Sequence, residues 1–475
     1  MEKMIYASEW EEMKATHGEE FTAAIRKLYD FYDGPSIVKW LGSLYDPEIG
    51  GFYYSNSARD YEGFLPDVES SQQVFGILGN LGAVPNRDTM IPDDIKKKIV
   101  TFARELQSPK DGHFYHPQWP QDKSLLAVDR YGRDYGNATS IINRFTYDTD
   151  GDGIPNKLYP KYCVANGTKC ALHDGTDQKC VFPIGAESVA EGIAEANEKK
   201  ADTEKKSVSH PDYSSPEAFT AWLEAFNSGI GTNSGAAHQL AALAPEIASY
   251  GYADIFVKHI KDNQKKLFDE QVAAGEKPTG IWQRDYNYRA VWGVYKYMYI
   301  FNSKHYNAAI DLKYAPYMIE SCLEVIKLPP NKDYAYNDLM NQWSAITNVI
   351  ANVQTHYGDA EAEKLYDIVR RDPVALIENS IAKLKPFKTA DGSFCVKVNG
   401  TSPANIYGVH IAVGDLPEGT VNSTHIIVCM YASICAALGC KMIKLCTTDD
   451  GEAFVRALQS AKSPEKIAFV PSENK

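Results

Sequence analysis

Apolar positions recur at three- and four-residue spacing over most of the chain, which is the pattern of amphipathic helices. Alternation of apolar and polar residues, which marks half-buried strands, is nearly absent. The pattern therefore predicts an all-α fold. Its clearest helices are Glu20–Tyr32, Ile95–Leu106, Ser215–Phe226, Ala253–Ala273, Ala290–Phe301, Tyr314–Ile326, Ala360–Arg370, Val374–Leu384 and Thr424–Leu438.

A short turn of glycine and an aromatic residue follows a helix at four places along the chain. After each turn comes a polar loop, and then a helix that opens with small or amide residues. A repeated helical hairpin indicates either an open solenoid or a closed ring, and the irregular units, about six or seven, favour the ring. The prediction is one (α/α)6–7 toroid domain over residues 1–475. The turns are Gly51-Phe52-Tyr53, Gly112-His113-Phe114-Tyr115, Gly280-Ile281-Trp282 and Gly392-Ser393-Phe394.

Residues 146–211 interrupt this pattern, because they are rich in Asp, Gly, Lys and Asn and have little apolar periodicity. They are interpreted as a long insertion between hairpins. Within it, Asp148, Asp150 and Asp152 have the spacing of a calcium loop, although position twelve is Tyr159 in place of Glu. A solvated acidic turn is the alternative. A structural zinc site is a second candidate, although unrelated thiols are favoured over it; its ligands would be Cys163, Cys170, His173 and Cys180.

Composition narrows the classes of partner. The chain has 49 Lys and Arg against 62 Asp and Glu, a net charge of −13, and no basic stripe, so nucleic acid is not expected to bind. No apolar run reaches the roughly 20 residues that span a bilayer. Nine cysteines without an export signal predict a cytoplasmic protein with free thiols. The aromatic content of 12% suits a cleft for sugars, although a large helical core also explains it.

The chemistry-bearing residues cluster between Asn233 and Arg289, at the starts of two successive predicted inner helices. Neighbouring inner helices of a ring would bring these side chains within reach of one another. The set is poor in carboxylates, so it suits another reaction better than glycoside hydrolysis by two carboxylates. The candidate catalytic residues are His238, Tyr288, Arg284, Tyr286, Asn233 and Arg289.

The reaction that these groups suit is β-elimination on a uronic acid. The proton on C5 of the sugar becomes acidic only when the neighbouring carboxylate is neutralised, which Arg, His or an amide can do. A Tyr or His then removes the proton, and nearby cations are needed to lower the pKa of a Tyr from about 10. Catalysis of this kind requires no cofactor. For any single residue, a place in the core is the simpler interpretation.

With this ring and these residues, the chain resembles the α/α-toroid polysaccharide lyases, in particular the family 38 glucuronan and alginate type. The resemblance implies an imidazole at His238, a guanidinium at Arg284 or Arg289, and a phenol at Tyr288, which is preferred to Tyr286. The separation of four residues between Arg284 and Tyr288 departs from the family's commonest pattern. An acidic oligo- or polysaccharide is the expected partner.

Further residues at helix starts and in aromatic turns are expected to contact the sugar. Imidazoles and aromatic rings would form platforms, and Arg would pair with sugar carboxylates. The same turns would alternatively wedge the hairpins together. The candidate substrate-binding residues are Glu69, His113, His116, Trp119, Arg130, Arg133, Asn137, Trp282, Asn337, Asn422 and His425.

Three other functions compete with the lyase. An inverting glycosidase on the same ring would pair Asp67 or Glu69 with Glu418 or Asp338. A terpene-cyclase or prenyltransferase-like toroid would need an Asp-rich motif, which the sequence lacks. A carbohydrate-binding or scaffolding protein would keep the cleft without an acid–base pair.

Overall fold

The computed structural model describes residues 6–84, 87–107, 114–118, 128–146, 211–230, 234–330, 335–406 and 409–468. The chain divides into two compact units. The first unit comprises Met1–Phe31, Lys206–Pro386 and Cys429–Ile443, and the second comprises Tyr32–Lys205, Phe387–Val428 and Lys444–Lys475. Almost all of the predicted insertion, including its candidate calcium and zinc ligands, lies outside the described residues.

The described residues are mostly helical, as the apolar spacing predicted. One short antiparallel pair of strands, β1 (Asn405–Ile406) and β2 (Val409–His410), was not predicted. The helices are α1 (Ala7–His17), α2 (Glu19–Tyr32), α3 (Gly34–Ser43), α4 (Asn56–Asp60), α5 (Val68–Leu81), α6 (Arg87–Met90), α7 (Asp93–Glu105), α8 (Val128–Thr146), α9 (Pro216–Ile230), α10 (Ser234–Ser249), α11 (Ala253–Ala273), α12 (Tyr288–Asn302), α13 (Ala315–Lys327), α14 (Tyr336–Tyr357), α15 (Asp359–Val369), α16 (Pro373–Leu384), α17 (Val421–Ala437) and α18 (Thr448–Ser460).

Local sequence signals account for several helix ends. Asp67 and Asn287 are N-caps, since their side chains accept hydrogen bonds from the amides of Glu69 (2.7 Å) and Ala290 (3.0 Å) at the starts of α5 and α12. Helix α5 ends at Gly82, which has a left-handed φ of 83°. Such caps fix where each helix begins or ends, and therefore which side chains stand at its first turn.

In the first unit, α10, α12 and α14 form one layer of neighbouring helices. The helices α11, α13 and α15 alternate with them along the chain and pack against them. Contacts at both ends show that α12 and α14 are parallel: Arg289 interacts electrostatically with Asp338 near their starts, and Asn302 exchanges hydrogen bonds with Asn348 and Asn352 near their ends. The first turns of α12 and α14 therefore lie at the same side of the layer.

In the second unit, α5 and the first turns of α17 also run side by side in parallel. Asn422 donates a hydrogen bond to Glu69 (3.3 Å), and His425, one turn further along α17, lies against Gly76, two turns further along α5. A Cβ added to Gly76 would be 2.8 Å from His425 Nε2, so glycine is what permits this close approach.

Two of the four glycine–aromatic turns, those of Phe52 and Phe394, are hydrogen-bonded to the helices that follow them. Phe52 and Phe394 are fully buried, and their amides donate to hydroxyl groups at the starts of the helices that follow, Ser71 (3.0 Å) and Thr424 (2.9 Å). The preceding hydroxyl residue in each helix, Ser70 or Ser423, donates back to the carbonyl of the same aromatic residue (2.6 and 2.5 Å). The same pair of hydrogen bonds therefore joins turn and helix at both places, and it explains why the glycine–aromatic turn and the hydroxyl residues recur together in the sequence.

Candidate functional site

The first turn of α12 brings together several of the predicted catalytic side chains. Tyr288 and Arg289 directly follow the N-cap Asn287. Trp292 is one helical turn from Tyr288, so the two side chains share a face of α12. The ring of Trp292 lies 5.5 Å, centroid to centroid, from the imidazole of His238 on the neighbouring α10. The structure thus joins His238 to the face of α12 that carries Tyr288, through an indole that the sequence analysis did not single out.

The first two turns of α14 add a carboxyl group and two amides. The carboxylate of Asp338 accepts a hydrogen bond from the amide of Ala335 (2.9 Å). Burial raises the pKa of Asp338, while that hydrogen bond and the charge of Arg289 act in the opposite direction. Asn337 is its neighbour in the chain, and Asn341 follows Asn337 by four residues, so the two amides lie on one side of α14.

Two of these amide atoms are buried and lack a hydrogen-bond partner within the part of the chain that the structure describes. They are Asn337 Oδ1, an acceptor, and Asn341 Nδ2, a donor. Asn341 is only 2% exposed. Because leaving a buried polar atom without a partner costs about 1–3 kcal/mol, such atoms are uncommon and call for an explanation, such as a ligand or an ordered water.

A buried lysine approaches the same place from α16. Lys383 is 3% exposed, and its Nζ lies 5.4 Å from the centre of the Tyr288 ring. Sequence reasoning missed Lys383 because nothing in its local pattern distinguishes it from the other lysines of amphipathic helices. It also missed Asn341, although the spacing of four residues from Asn337 was a usable signal.

Two other predicted catalytic residues lie on the surface. Arg284 is paired with Glu276 at 2.5 Å and with Glu270 at 3.7 Å, and its side chain is 46% exposed. Tyr286 is 47% exposed. Since two carboxylates neutralise Arg284, it is poorly suited to stabilise a phenolate or a sugar carboxylate. Asn233 lies outside the described residues.

Predicted substrate-binding residues in the second unit form a hydrogen-bonded cluster around Glu69, in which one buried atom, Gln73 Oε1, lacks a partner within the described chain. The Glu69 carboxylate accepts from Gln73 Nε2 (2.9 Å) and Asn422 Nδ2 (3.3 Å), and the Tyr54 hydroxyl lies 3.2 Å away. The same hydroxyl is 3.3 Å from Asp67. Glu69 and Asn422 are each 2% exposed, so their polar atoms bind other protein groups and do not face solvent.

His425 lies beside this cluster in a half-buried position. Burial lowers its pKa to about 4, and the negative charge of Glu69 acts in the opposite direction. The imidazole is therefore neutral at pH 7 and does not supply a cation to an acidic sugar.

The remaining predicted sugar contacts have varied surroundings. Trp282 is buried and donates its indole N–H to the carbonyl of Ile260 (2.9 Å), so it packs in the core of the first unit. His116 is buried, with Nε2 2.7 Å from the carbonyl oxygen of Pro66. Asn137 is half-buried on α8. Arg130 and Arg133 lie on α8, where their side chains are not described, and His113 and Trp119 lie outside the described residues, as do Asp148, Asp150, Asp152, Cys163, Cys170, His173 and Cys180.

The carboxylate proposed for the glycosidase alternative, Glu418, is bound to Ser57. One of its oxygens accepts from the Ser57 amide (2.9 Å) and the other from the Ser57 hydroxyl. Burial raises the pKa of Glu418, and these hydrogen bonds lower it. With both oxygens bound to the loop that carries Ser57, Glu418 joins two segments of the second unit.

No family model, curated protein or solved structure matches this chain. Among the described side chains there is no group of three or more His, Cys, Asp or Glu arranged to hold a metal ion. No helix in the described ranges is long and apolar enough to cross a membrane.

Proposed function

We propose that the chain is a polysaccharide lyase that cleaves a uronic-acid-containing glycan by β-elimination. The site would lie at the first turns of α10, α12 and α14. The observation that carries the proposal is the pair of buried amide atoms without partners in the described chain, Asn337 Oδ1 and Asn341 Nδ2, on the helix whose Asp338 interacts electrostatically with Arg289.

The pair of amides suits a sugar acid. One atom is an acceptor and the other a donor, so the complementary ligand carries both a hydroxyl proton and an oxygen acceptor close together. A uronic acid carries both in its hydroxyl and carboxylate groups. Asn337 also stands in the first turn of α14, where the helix dipole favours negative charge, and Asn341 lies one turn further along. Together with Arg289, they would neutralise the carboxylate next to C5.

The elimination itself assigns a role to Tyr288. Its ionised oxygen takes the proton from C5, and the electron pair of the broken C5–H bond forms a double bond between C4 and C5. The bond from C4 to the glycosidic oxygen breaks, and Tyr288 returns the proton to that departing oxygen. His238 would bind the sugar next to Trp292, whose half-buried ring offers a flat apolar surface.

The (α/α) toroid belongs to the same proposal. Support comes from within each unit: parallel α12 and α14 in the first, and parallel α5 and α17 in the second. Helix α13 separates α12 from α14 along the chain, whereas α5 and α17 come from distant parts of the sequence. A ring of helical hairpins requires both kinds of parallel pair in its inner layer, the second where the ring closes.

The test is incubation of the full chain with glucuronan, alginate, hyaluronan and heparinoids, each followed by ultraviolet absorbance and by a reducing-end assay. The lyase proposal expects absorbance to grow with the unsaturated product on at least one glycan. Reducing ends without absorbance would indicate hydrolysis and overturn it. Binding without turnover, or no binding to any of the four, would also overturn it, the former in favour of a carbohydrate-binding protein.

A further inference from the structure

The surroundings of Lys383 are unusual for a lysine. It is 3% exposed, and within the described chain no carboxylate pairs with its ammonium group. Its contacts are the carbonyl oxygens of Val325 (3.1 Å) and Ile326 (2.6 Å) at the end of α13, and the face of the Tyr288 ring. Lysines are almost never buried without a partner of opposite charge, because removing the charge from water is costly.

A need to cap the end of α13 does not explain why the charge of Lys383 is buried. The carbonyl of Ile326 already accepts a hydrogen bond from Asn379 Nδ2 (2.6 Å), and that of Val325 accepts one from the Leu328 amide (3.2 Å). Both acceptors would therefore keep a donor if Lys383 were replaced by an apolar residue. The contact that remains to be explained is the one between the ammonium group and Tyr288.

The charge state of Lys383 at neutral pH follows from two opposing effects. Burial lowers its pKa to about 8. The two carbonyl oxygens and the negative end of the α13 dipole favour the ammonium form. Lys383 is accordingly a cation at pH 7, fixed by two hydrogen bonds at 5.4 Å from the Tyr288 ring centre.

We propose that Lys383 is a positioning residue for Tyr288: its ammonium group contacts one face of the Tyr288 ring and stabilises the phenolate by a fixed positive charge. A positive charge close to an acid favours its ionised form, and the Lys383 ammonium group lies against the ring of Tyr288. This role rests on the proposed lyase function, in which Tyr288 accepts the C5 proton. The sequence analysis offered Arg284 or Arg289 as the cation beside the tyrosine. Two carboxylates neutralise the charge of Arg284, and Lys383 is a further cation in contact with the ring.

Other titratable groups lie on the helices around this pair. Arg289 is on the same helix as Tyr288, Asp338 is on α14, and the half-buried His238 is on α10. The end of α13 carries the exposed pair of Lys327 and Glu324 (3.0 Å). These groups are present in the wild type and in every Lys383 variant, so a comparison between variants isolates the charge of Lys383.

The first measurement does not depend on turnover. The protein is labelled with ¹³C at the tyrosine Cζ, the Tyr288 signal is assigned by its loss in Tyr288→Phe, and its ionisation is followed against pH. Because a phenolate in turn favours the ammonium form of Lys383, the two groups titrate as a coupled pair, and we expect Lys383→Met to raise the midpoint of Tyr288. Lys385→Met removes an exposed lysine two residues away and should leave the midpoint unchanged. An unchanged midpoint in Lys383→Met would overturn the proposal, whether or not the protein is a lyase.

Two further variants guard against a merely structural effect. Lys383→Gln is neutral and should reproduce the shift of Lys383→Met, while Lys383→Arg keeps the charge and should restore the wild-type midpoint. If lyase activity is present, the limb of the kcat profile that reports Tyr288 ionisation should move to higher pH by the same amount in Lys383→Met, with KM unchanged. A uniform loss of activity without a pH shift would contradict the positioning role and leave only a structural one.

Discussion

The two units place polar side chains at the same kind of position, the first turns of parallel neighbouring helices, and use them differently. In the second unit, Glu69 and Asn422 bond to one another and to surrounding donors, and both are buried. In the first unit, Asn337 and Asn341 keep polar atoms without partners in the described chain, and Tyr288 and Arg289 are partly or largely exposed. Among the predicted site residues, Glu69 and Asn422 are therefore held by protein groups, whereas Asn337 has a polar atom left for a ligand. The buried Gln73 Oε1, which lacks a partner within the described chain, shows that unmade hydrogen bonds also occur in the second unit.

The strongest test of this contrast is Tyr288→Phe in the first unit. Loss of the acid–base group is expected to reduce kcat about 10²–10⁴-fold, while the thermal melt stays nearly unchanged. We expect His238→Ala to abolish turnover in the same way. Tyr299→Phe is the matched control, because Tyr299 is on the same helix and 58% exposed. Rates close to wild type for both Tyr288→Phe and His238→Ala would remove these residues from the mechanism.

In the second unit, Glu69→Ala is expected to destabilise the fold by about 3 kcal/mol or more, because Gln73 and Asn422 lose a buried acceptor. Denaturant unfolding monitored by circular dichroism measures the change. Glu62→Ala, which removes an exposed carboxylate in the same unit, should change stability by no more than about 0.5 kcal/mol. Equal effects of the two substitutions would show that the Glu69 cluster does not hold the unit together.

His425 makes the stability of the second unit depend on pH. Its pKa is about 4 when folded and about 6.5 when unfolded, so the unfolded chain binds more protons between these values. The contribution of the neutral His425 to the free energy of unfolding is complete above about pH 6.5. It is lost as the pH falls towards 4, and the total loss is about 3 kcal/mol.

Unfolding free energies measured from pH 7 down to 4 check this dependence. His425→Gln should flatten it, whereas replacement of the exposed His305 by Gln should leave the curve as in the wild type. If the unfolding free energy of His425→Gln depended on pH as steeply as that of the wild type, the burial of His425 would not be the cause of the pH dependence.

The smallest change in stability is expected for Asn341→Leu, which replaces a buried amide by an apolar group of similar size. Because Asn341 Nδ2 has no partner within the described chain, its removal should alter the unfolding free energy by less than about 1 kcal/mol. Glycan binding should nevertheless weaken, seen as a raised KM or as lost affinity in calorimetry. If Asn341→Leu lost much stability while glycan binding stayed unchanged, Asn341 would be a structural residue like Glu69 and the contrast between the two units would not hold.

The sequence by itself determined most of the secondary structure. Helical spacing predicted Ala253–Ala273 with the bounds that α11 has, and located α12 and α16 to within a few residues. The glycine–aromatic turns could also be recognised in the sequence. Gly280 and Gly392 have left-handed φ values that other residues rarely adopt, so the backbone of these turns requires glycine. These features depend on neighbours in the chain, so local patterns carry them.

Only the tertiary structure decided which polar residues are available to a ligand. Glu69 and Asn337 look alike in the sequence, since each is a polar residue in the first turn of a helix. The hydrogen bonds to Glu69 from Tyr54 and Asn422 span 15 and 353 residues, and the approach of Lys383 to Tyr288 joins helices far apart in the chain. Contacts over such separations leave no local periodicity, because they depend on how whole helices pack, and the packing determines which hydrogen bonds remain unmade.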